Sequence, residues 1–456
     1  MKRGTTPDPL TRAIRALIGP PEDPDRVFLL PDVTYGRVHA MAAGLRPALA
    51  EARGPVCLFT EDRAVMASAL IAALSERQPL ILPHALSPAA LGQMHRRCGF
   101  TVAVLDKDRA LPAGVEPVVV NPSPGAFAKP GPGGEMPAPD TEWVRLFTGG
   151  STGRPQMWSK TVRNLLGEAA YQADAFGYGE GDRIVATVPA FHIYGLLYSL
   201  LAPLISEATV SAEMPSYPRE IKAACDECRA TILVSVPVHY RAMRETGVFC
   251  RPQRAALSSA GPLDPADADA FFAHTGTGVI EIYGSTETGG IAARCRADGQ
   301  QELHPFSVVD WKIAARRLHV RSDFLSPELP LDAAGFFKTG DRAAETKEGG
   351  FVLLGREDGI VKVGGKRIDA EEIRERILSV EGVRDAVVVV LPTHTGRQAA
   401  FGALVEGDVE PAALRRHLAD RLQPQAIPRQ FRVVEKIPVT PAGKLDRERA
   451  LVLLTR

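Results

Sequence analysis

The sequence predicts an α/β protein with a large N-terminal domain of mostly parallel sheets and a β-rich subdomain, followed by a small α+β C-terminal domain. At 456 residues the chain is too long for one ordinary hydrophobic core. Helical patterns alternate with short apolar runs up to about Val120, as in βαβ units. From about Phe306 short strands and turns dominate, and the text after Asp358 has enough helix and strand for a domain of its own. We therefore place the domains at residues 1–357 and 358–456.

The N-terminal elements follow from short apolar runs. "PVCLFT", "PLILP", "TVAVLD" and "VEPVVV" predict strands, and "AVMASALIAALSE" predicts a buried helix between them. The Pro- and Gly-rich "NPSPGAFAKPGPGGEMPAPD" predicts an exposed connector. Four later strands, "RIVATVP", "ATILVSVP", "RAALSSAG" and "VIEIYG", end at polar residues or glycine. Because ligands of open α/β sheets bind beyond the carboxyl ends of strands, we expect the chemistry there.

The C-terminal elements have a different pattern. "WKIAARRLHVRS", "GFFKTGDRA" and "GGFVLLGRED" predict strands joined by turns. The helix "AEEIRERILSV" follows, then the strands "DAVVVVL" and "FGALV", the helix "PAALRRHLADRL" and the strand "FRVVEKIP". These elements predict the small α+β domain, with a boundary near Asp358.

Composition excludes several classes of protein. Basic and acidic residues balance at 54 each, so no global field favours nucleic acid. The apolar stretches fall short of the roughly 20 residues that span a bilayer. Six dispersed cysteines fit a reducing, cytoplasmic location, and the lone pair Cys225 and Cys228 predicts two residues one helical turn apart. We expect neither a nucleic-acid partner nor a membrane span.

The segment "LFTGGSTGRPQMWSKT" at residues 146–161 has the composition of a phosphate-binding loop. Hydroxyls and closely approaching backbone N–H groups suit phosphate oxygens. The Walker pattern needs Gly-Lys-Ser/Thr at its end, whereas Arg154 and Pro155 follow here, so a P-loop kinase is disfavoured. By itself such a loop is as often a structural turn. The candidate phosphate-binding residues are Thr148, Gly149, Gly150, Ser151, Thr152 and Gly153.

Later segments offer groups that complement a nucleotide. "EIYGSTETGGIA" places Tyr283, Thr286 and Glu287 in one strand-to-loop turn, and a carboxylate beside phosphates suits Mg²⁺. "FFKTGDRA" offers Asp341, whose carboxylate could bind two vicinal ribose hydroxyls. "PVTPAGKLDR" presents Lys444 on a Pro- and Gly-containing loop. Each residue alone has an ordinary structural explanation, but together they favour a nucleotide site.

In this order the segments resemble the adenylate-forming superfamily of acyl-CoA synthetases, aryl-acid ligases, luciferases and nonribosomal peptide synthetase adenylation domains. The resemblance runs from about Arg145 to Arg447. It implies that ATP and Mg²⁺ activate a carboxylic acid as an acyl-AMP with release of pyrophosphate. The acyl group would then pass to the thiol of coenzyme A or of an acyl carrier protein. Aromatic residues near the implied acid pocket favour a compact aryl or acyl acid, although each could equally be a core residue: Phe191, Tyr194, Tyr198 and Trp158.

The resemblance also implies individual roles. The Gly/Ser/Thr loop would hold the β and γ phosphates, Tyr283 would stack on adenine, Thr286 would contact the α-phosphate and Glu287 would hold Mg²⁺. Asp341 would bind the ribose with Arg356 beside it, and Gly284 completes the nucleotide site. Lys444 would be the adenylation lysine, and His192 in "PAFHIYGLL" would line the acid pocket. The resemblance further implies that the β-rich part is a distorted β subdomain and that the small C-terminal domain is mobile. The implied hinge and thiol channel consist of Asp358, Gly364, Gly365 and Lys366.

The sequence departs from the family at one position and leaves two alternatives open. Gln156 stands where the family usually has lysine, and we hypothesise that Lys160 supplies the missing charge to the phosphates. An amino-acid adenylating enzyme would ordinarily have an aspartate early in the pocket, and "PAFHIYGLL" has none. A nucleotide-binding regulator without turnover is disfavoured because Glu287, Asp341 and Lys444 are all present.

Overall fold

The computed structural model describes residues 8–120, 135–148, 156–356, 360–363, 366–391, 400–422, 424–441 and 443–455. The chain forms two compact units. The first consists of Met1–Val309 and Arg321–Pro330, and the second of Asp310–Val320 and Leu331–Arg456. The second unit therefore includes strands that precede Asp358. Asp358 itself lies outside the described residues, so the hinge and the division at residues 357 and 358 stay predictions.

The first unit contains most of the helices and strands. In chain order they are α1 Pro9–Ile18, β1 Val27–Leu30, β2 Val33–Thr34, α2 Tyr35–Glu51, β3 Val56–Leu58, α3 Arg63–Glu76, β4 Leu80–Leu82, α4 Pro88–Cys98, β5 Val102–Leu105, β6 Glu116–Val119, β7 Glu142–Thr148, β8 Gln156–Thr161, α5 Val162–Ala175, β9 Arg183–Ala186, α6 Ile193–Leu196, α7 Ala202–Ile205, β10 Thr209–Ser211, α8 Pro218–Cys228, β11 Ile232–Ser235, α9 Pro237–Thr246, β12 Ala255–Ser258, α10 Pro265–Thr275, β13 Val279–Ser285, β14 Gly289–Cys295 and β15 His304–Pro305. A π-helical turn, Leu197–Leu201, joins α6 to α7.

Two mostly parallel sheets organise this unit, as the sequence predicts. One has six strands in the order β6-β5-β3-β4-β7-β8, and the other has nine in the order β15-β14-β13-β12-β11-β9-β10-β1-β2. In the nine-stranded sheet β1, β10, β9, β11, β12 and β13 run parallel. The carboxyl ends of β9, β11, β12 and β13 consequently meet at one edge, where ligands of such sheets bind.

Burial explains why the apolar runs form these elements. Val56, Cys57 and Leu58 of β3 are almost completely buried, which is typical of a parallel strand covered on both faces. Helix α3 is buried along nearly its whole length. It begins at Asp62, whose Oδ1 accepts the N–H groups of Ala64 and Val65 at 2.8 and 3.0 Å. The prediction of a buried helix is therefore confirmed, and among the described residues no helix combines the length and apolarity needed to cross a membrane.

Helix α5 begins directly after β8, close to the predicted phosphate loop. Thr161 Oγ1 accepts the N–H of Asn164 at 3.2 Å, and Asn164 Oδ1 accepts the N–H of Thr161 at 3.1 Å. This reciprocal capping box fixes where the strand ends and the helix begins. The first turn of α5 is thus fixed to the end of β8.

The prediction for the lone cysteine pair is confirmed. Cys225 and Cys228 lie one turn apart in α8, and both are buried in the core of the first unit. Among the described residues no group of His, Cys, Asp and Glu side chains forms a metal cluster.

In its described residues, the second unit combines three small sheets with three α-helices. Its elements are β16 Asp310–Ala314, β17 Arg317–Arg321, β18 Phe337–Glu345, β19 Phe351–Arg356, β20 Ile360–Val363, β21 Lys366–Asp369, α11 Ala370–Leu378, β22 Val383–Leu391, β23 Ala400–Gly407, α12 Pro411–Ala419, β24 Gln430–Val434 and α13 Arg447–Thr455. The sheets have the strand orders β16-β17-β18-β19, β20-β21 and β22-β23-β24. The antiparallel strands of the first sheet match the predicted β subdomain.

The three-stranded sheet is covered on both faces. Phe401, Ala403 and Val405 of β23 pack in one cluster with α11 and α12, whereas Leu404 packs with α13 in another. This alternation follows from the two-residue period of a strand. The predicted helices and strands of this α+β part are therefore confirmed.

Candidate active site

The segment predicted to bind phosphate connects two antiparallel strands. β7 ends at Thr148 and β8 begins at Gln156, and these two residues are register partners. The pairing fixes both ends of the connecting segment at the carboxyl end of β7. The remaining predicted residues, Gly149, Gly150, Ser151, Thr152 and Gly153, lie outside the described residues, so their phosphate contacts stay predictions.

A second hairpin carries the residues predicted for adenine, the α-phosphate and magnesium. Tyr283 and Gly284 lie on β13, and Thr286 and Glu287 follow in the turn that leads to β14. Thr286 is buried, whereas Tyr283 and Glu287 are partly exposed. The turn therefore presents an aromatic ring and a carboxylate at the carboxyl end of a parallel strand.

Hydrogen bonds within and beside this turn fix its backbone. The Ser285 N–H donates to Thr288 Oγ1 at 3.1 Å, and the two hydroxyl oxygens lie 2.8 Å apart. From a neighbouring segment, the Ser326 N–H donates to the Glu287 carbonyl oxygen at 2.8 Å. Thr288 was not among the predicted site residues, although a hydroxyl residue three positions after another is a recognisable turn signal. Its role is to hold the turn that carries Glu287.

Two glycines let the hairpin close tightly. A Cβ at Gly284 would lie 2.3 Å from the Gly289 carbonyl oxygen. Gly289 has a φ of +67°, and a Cβ there would lie 2.5 Å from Glu168 Oε2. Side chains at either position would force this turn apart.

The structure contradicts the hypothesis that Lys160 contacts the phosphates in place of the residue at Gln156. Lys160 is 0% exposed, and its Nζ donates to the Phe324 carbonyl at 2.8 Å and to the Glu287 carbonyl at 3.5 Å. An ammonium group without accessible surface, held by two carbonyls, is not presented to a phosphate. It lies instead beneath the Glu287 turn.

Glu168 of α5 lies beside the same turn, and sequence reasoning missed it. It is 1% exposed, and its Oε1 accepts the Gly290 N–H at 2.6 Å. Burial raises the pKa of Glu168 and lowers the pKa of Lys160, and each shift is opposed by the charge of the other residue. An acidic residue in the middle of an amphipathic helix gave no signal of this burial.

His192 lies immediately before α6, at the position predicted to line the acid pocket. Its ring centroid is 4.6 Å from that of Phe191, and the side chain is half-buried. Phe191, Tyr194 and Tyr198 are all buried, and burial raises the pKa of both tyrosines. The hydroxyl oxygen of Tyr198 has no hydrogen-bond partner among the described residues. This segment therefore offers an imidazole and two phenols beside apolar rings.

A small polar network follows two of the parallel strands and was also missed. Thr187 follows β9, Ser235 ends β11 and His239 lies in α9. The Thr187 and Ser235 hydroxyl oxygens are 2.9 Å apart, and His239 Nδ1 is 2.8 Å from Thr187 Oγ1. The sequence did contain a signal for this network, because "RIVATVP" and "ATILVSVP" both end in polar residues. Polar residues at the carboxyl ends of parallel strands can hydrogen-bond to a ligand or to each other.

In the second unit, Asp341 and Arg356 are neighbours across two strands. They are register partners of β18 and β19, so the predicted proximity of Arg356 to Asp341 is correct at the backbone. The Asp341 N–H donates to Thr339 Oγ1 at 3.1 Å, and the aspartate is partly exposed. Asp341 therefore lies within strand β18, and its backbone is held by the Thr339 hydroxyl and by pairing with β19.

Lys444 lies on a loop held by its own backbone. The Thr440 N–H donates to the Lys444 carbonyl at 2.7 Å, and the Asp446 N–H donates to the Pro438 carbonyl at 2.9 Å. Val439 and Leu445 form an antiparallel bridge at its base. The exposed Lys444 side chain therefore extends from a defined loop.

Most of the predicted hinge and thiol-channel residues lie outside the part of the chain that the structure describes. Asp358, Gly364 and Gly365 lie outside the described residues. Lys366 begins β21 opposite Val363 of β20, which places it at the closed end of a two-stranded hairpin. Its proposed role at a thiol channel stays a prediction.

Comparison with known proteins gives consistent matches. Residues 32–329 match the family model described as AMP-binding enzyme, and residues 372–444 match that of the AMP-binding enzyme C-terminal domain. The chain is 27% identical over 344 residues to a sulfoacetate–CoA ligase of Cupriavidus necator, covering 69% of this chain and 68% of that protein. It is 26% identical over 357 residues to a 3-hydroxybenzoate–CoA ligase of Aromatoleum sp., covering 70% and 68%. The solved structure of ATP-bound MatB from Rhodopseudomonas palustris has the same fold, with a TM-score of 0.81, 19% identity and coverage of 97% and 98%.

Proposed function

The chain belongs to the AMP-binding enzyme family and is an AMP-forming ligase, and we propose that it activates a compact aryl or acyl acid and transfers it to a thiol. The carrying observation is the β13–β14 turn. It presents Thr286 and Glu287 from a hydrogen-bonded backbone that is tied to β8, the strand leaving the predicted phosphate loop. Sulfoacetate and 3-hydroxybenzoate, which two relatives are named for, are both compact acids.

The proposed chemistry has two steps. A carboxylate oxygen of the acid attacks the α-phosphorus of ATP, and the bond to the β-phosphate oxygen breaks, so that pyrophosphate leaves with the electron pair. A thiolate sulfur then attacks the acyl carbon, and AMP leaves. Negative charge accumulates around the α-phosphate in the first step, so fixed donors and cations there lower its barrier. Thr286 and Lys444 are the proposed groups.

The residues of the turn fit Mg²⁺ held jointly with ATP. Mg²⁺ is usually bound by one or two protein carboxylates together with phosphate oxygens and water, rather than by an all-protein cage. Glu287 is a single, partly exposed carboxylate, and no cluster of ligating side chains exists among the described residues. In this proposal Glu287 holds the cation, which neutralises phosphate charge when it is bound.

The remaining roles complete the proposal. Tyr283 stacks on adenine, and Asp341 binds the ribose with Arg356 beside it. His192 lies on the acid side, because an ionised carboxylate needs no general base to attack. Rotation of the C-terminal domain at Asp358 would exchange Lys444 for the segment around Gly364 and Lys366 between the two steps.

Acid-dependent exchange of labelled pyrophosphate into ATP tests the first step. A panel of small sulfonated, aryl, dicarboxylic and amino acids is offered with Mg²⁺. We expect exchange with a compact acid that lacks an α-ammonium group. Exchange with amino acids alone would instead favour the amino-acid adenylating alternative, and no exchange with any acid would favour a nucleotide-binding regulator.

An arginine-rich groove in the second unit supports a carrier protein as the thiol acceptor. The groove has a volume of about 860 Å³ and lies between α12, β24 and α13. Arg415, Arg416, Arg429 and Arg432 line it and are exposed, and no acidic residue lines it among the described residues. A carrier protein that presents acidic residues around its thiol would be complementary in charge to such a groove. The alternative thiol acceptor is coenzyme A, which appears in the names of two relatives.

The double substitution R416E/R429E tests this acceptor. We expect it to raise the KM for an acyl carrier protein about tenfold or more, because like charges oppose docking, while pyrophosphate exchange is unchanged. Steady-state thioester formation with carrier protein and with coenzyme A measures the effect. R376E, on the exposed face of α11, is the matched control and should leave both reactions unchanged. An unchanged KM for carrier protein in R416E/R429E would remove the groove from the proposal.

A further inference from the structure

Lys160 and Glu168 contact the backbone of the Glu287 turn, but the chemistry proposed above uses neither side chain. Lys160 is fully buried on β8, and Glu168 is almost fully buried on α5. Ionised side chains are rarely buried to this extent, because removal from water is costly unless partners compensate. An apolar residue at each position would have filled the same space without that cost. The role of Lys160 and Glu168 is therefore inferred from the hydrogen bonds that they make.

Lys160 holds a neighbouring segment that in turn holds the turn. Its Nζ donates to the Phe324 carbonyl at 2.8 Å. Two residues later in that segment, the Ser326 N–H donates to the Glu287 carbonyl at 2.8 Å. Lys160 itself reaches the same carbonyl at 3.5 Å, a longer and weaker contact. Lys160 thus holds the Glu287 backbone in two ways. It bonds directly to the Glu287 carbonyl, and it fixes the segment whose Ser326 N–H binds the same carbonyl.

Glu168 holds the other end of the turn. Its Oε1 accepts the Gly290 N–H at 2.6 Å, a short distance that suits a charge-assisted hydrogen bond. Gly289 and Gly290 have no side chains, and a Cβ at Gly290 would lie 3.1 Å from the same Oε1. The glycine pair is therefore what allows the carboxyl group to approach the backbone so closely.

The α5 side chain Asn164 adds a parallel contact. Its Nδ2 donates to the Asp323 carbonyl at 2.7 Å, one residue before the carbonyl bound by Lys160. The same asparagine caps α5 through Thr161. Residues of β8 and α5 thus fix the 323–326 segment at adjacent carbonyls. This arrangement leaves little freedom for the Ser326 N–H that binds Glu287.

We propose that Lys160 and Glu168 are positioning residues for acid adenylation, holding the two ends of the Glu287 turn in register with the strand that leaves the phosphate loop. The inference rests on the proposed function, since it concerns the placement of a carboxylate toward the magnesium ion of bound ATP. Lys160 lies on the strand that begins at Gln156, so a shift of that strand would be transmitted to the turn. Displacements of about 1 Å at such a site cost on the order of 100-fold in rate.

The substitution Lys160→Met tests the inference, because methionine fills a similar volume without a donor. We expect the kcat of pyrophosphate exchange to fall about 10- to 100-fold, as for other misplaced catalytic groups. The Mg²⁺ concentration for half-maximal exchange should rise. Thioester formation from supplied acyl-adenylate should remain near the wild-type rate, because that step uses neither pyrophosphate nor the metal. Glu168→Gln keeps an oxygen for the Gly290 N–H and should show a smaller change in the same direction.

Tyr240→Phe is the matched control for lost stability. Tyr240 is fully buried in the same unit, and its hydroxyl donates to the Leu257 carbonyl at 2.9 Å. This variant should lower Tm without changing the Mg²⁺ requirement. If folded Lys160→Met has the kcat and Mg²⁺ dependence of Tyr240→Phe, the positioning role is wrong. If Lys160→Met does not fold, the same comparison with Glu168→Gln decides.

Failure of the proposed function would look different. In that case the wild-type protein itself would give no exchange with any acid in the panel. Calorimetric titration with ATP and Mg²⁺ then measures the positioning role directly. Weaker Mg²⁺-dependent binding by Lys160→Met than by Tyr240→Phe would support it, and equal binding by the two variants would overturn it.

Discussion

Lys444→Ala should reduce acid-dependent pyrophosphate exchange about 10²- to 10³-fold, the loss typical of removing one group that stabilises transition-state charge. Lys444 is exposed, and its loop is held by backbone hydrogen bonds that alanine retains. The protein should therefore fold normally, with an unchanged Tm. Thioester formation from supplied acyl-adenylate should stay near wild type, because in the proposed mechanism the lysine acts in the first step alone.

Lys436→Ala is the matched control, since Lys436 is an exposed lysine of the same unit that precedes the loop. It should leave both half-reactions unchanged. Equal pyrophosphate exchange by the two variants would mean that Lys444 is an ordinary solvated side chain. Equal loss of both half-reactions in Lys444→Ala would point to a general effect on the enzyme instead of adenylation.

The fold could be predicted largely because its buried strands are recognisable as short apolar runs in the sequence. The runs that became β3, β4 and β5 are buried on both faces, so continuous apolar residues at strand length identify them. The helices α3 and α11 were similarly evident from length and pattern. These features are local, and local features are what a single sequence expresses.

The position of Lys160 could not be predicted in the same way. Its partners are the carbonyls of Glu287 and Phe324, which lie 127 and 164 residues further along the chain. The hypothesis that Lys160 supplies charge to the phosphates requires an accessible ammonium group, and lysine is rarely buried. Lys160 is buried because three segments that are distant in the sequence pack together around it. A local sequence pattern does not indicate such packing.

Within the candidate site, the shared location of several residues was predictable because they are close in the sequence. Tyr283, Thr286 and Glu287 are close in sequence, so their shared turn could be inferred from the residues alone. Glu168 was missed because its hydrogen bond to the Gly290 backbone joins segments that are distant in the sequence and leaves no local pattern. Thr288 did have a signal, its spacing from Ser285, which was not used. Sequence reasoning thus identified groups that could touch a ligand better than the groups that place them.

Glu287→Gln should produce the other large effect, a loss of pyrophosphate exchange of about 10²- to 10³-fold at ordinary Mg²⁺ concentrations. The turn is held through the Glu287 carbonyl and through Thr288, and both remain in the variant. The substitution therefore removes the carboxylate charge without removing the contacts that shape the turn. Exchange assays across a wide range of Mg²⁺ concentration measure the result.

Glu245→Gln is the control, because Glu245 is an exposed carboxylate of α9 in the same unit. The dependence on Mg²⁺ also separates the mechanisms of loss. If Glu287 holds the metal, a high Mg²⁺ concentration should restore part of the activity of Glu287→Gln, because weaker binding is offset by mass action. The same concentration should restore none in Lys444→Ala, whose metal site is intact. Wild-type exchange and metal dependence in Glu287→Gln would exclude this carboxylate as a magnesium ligand.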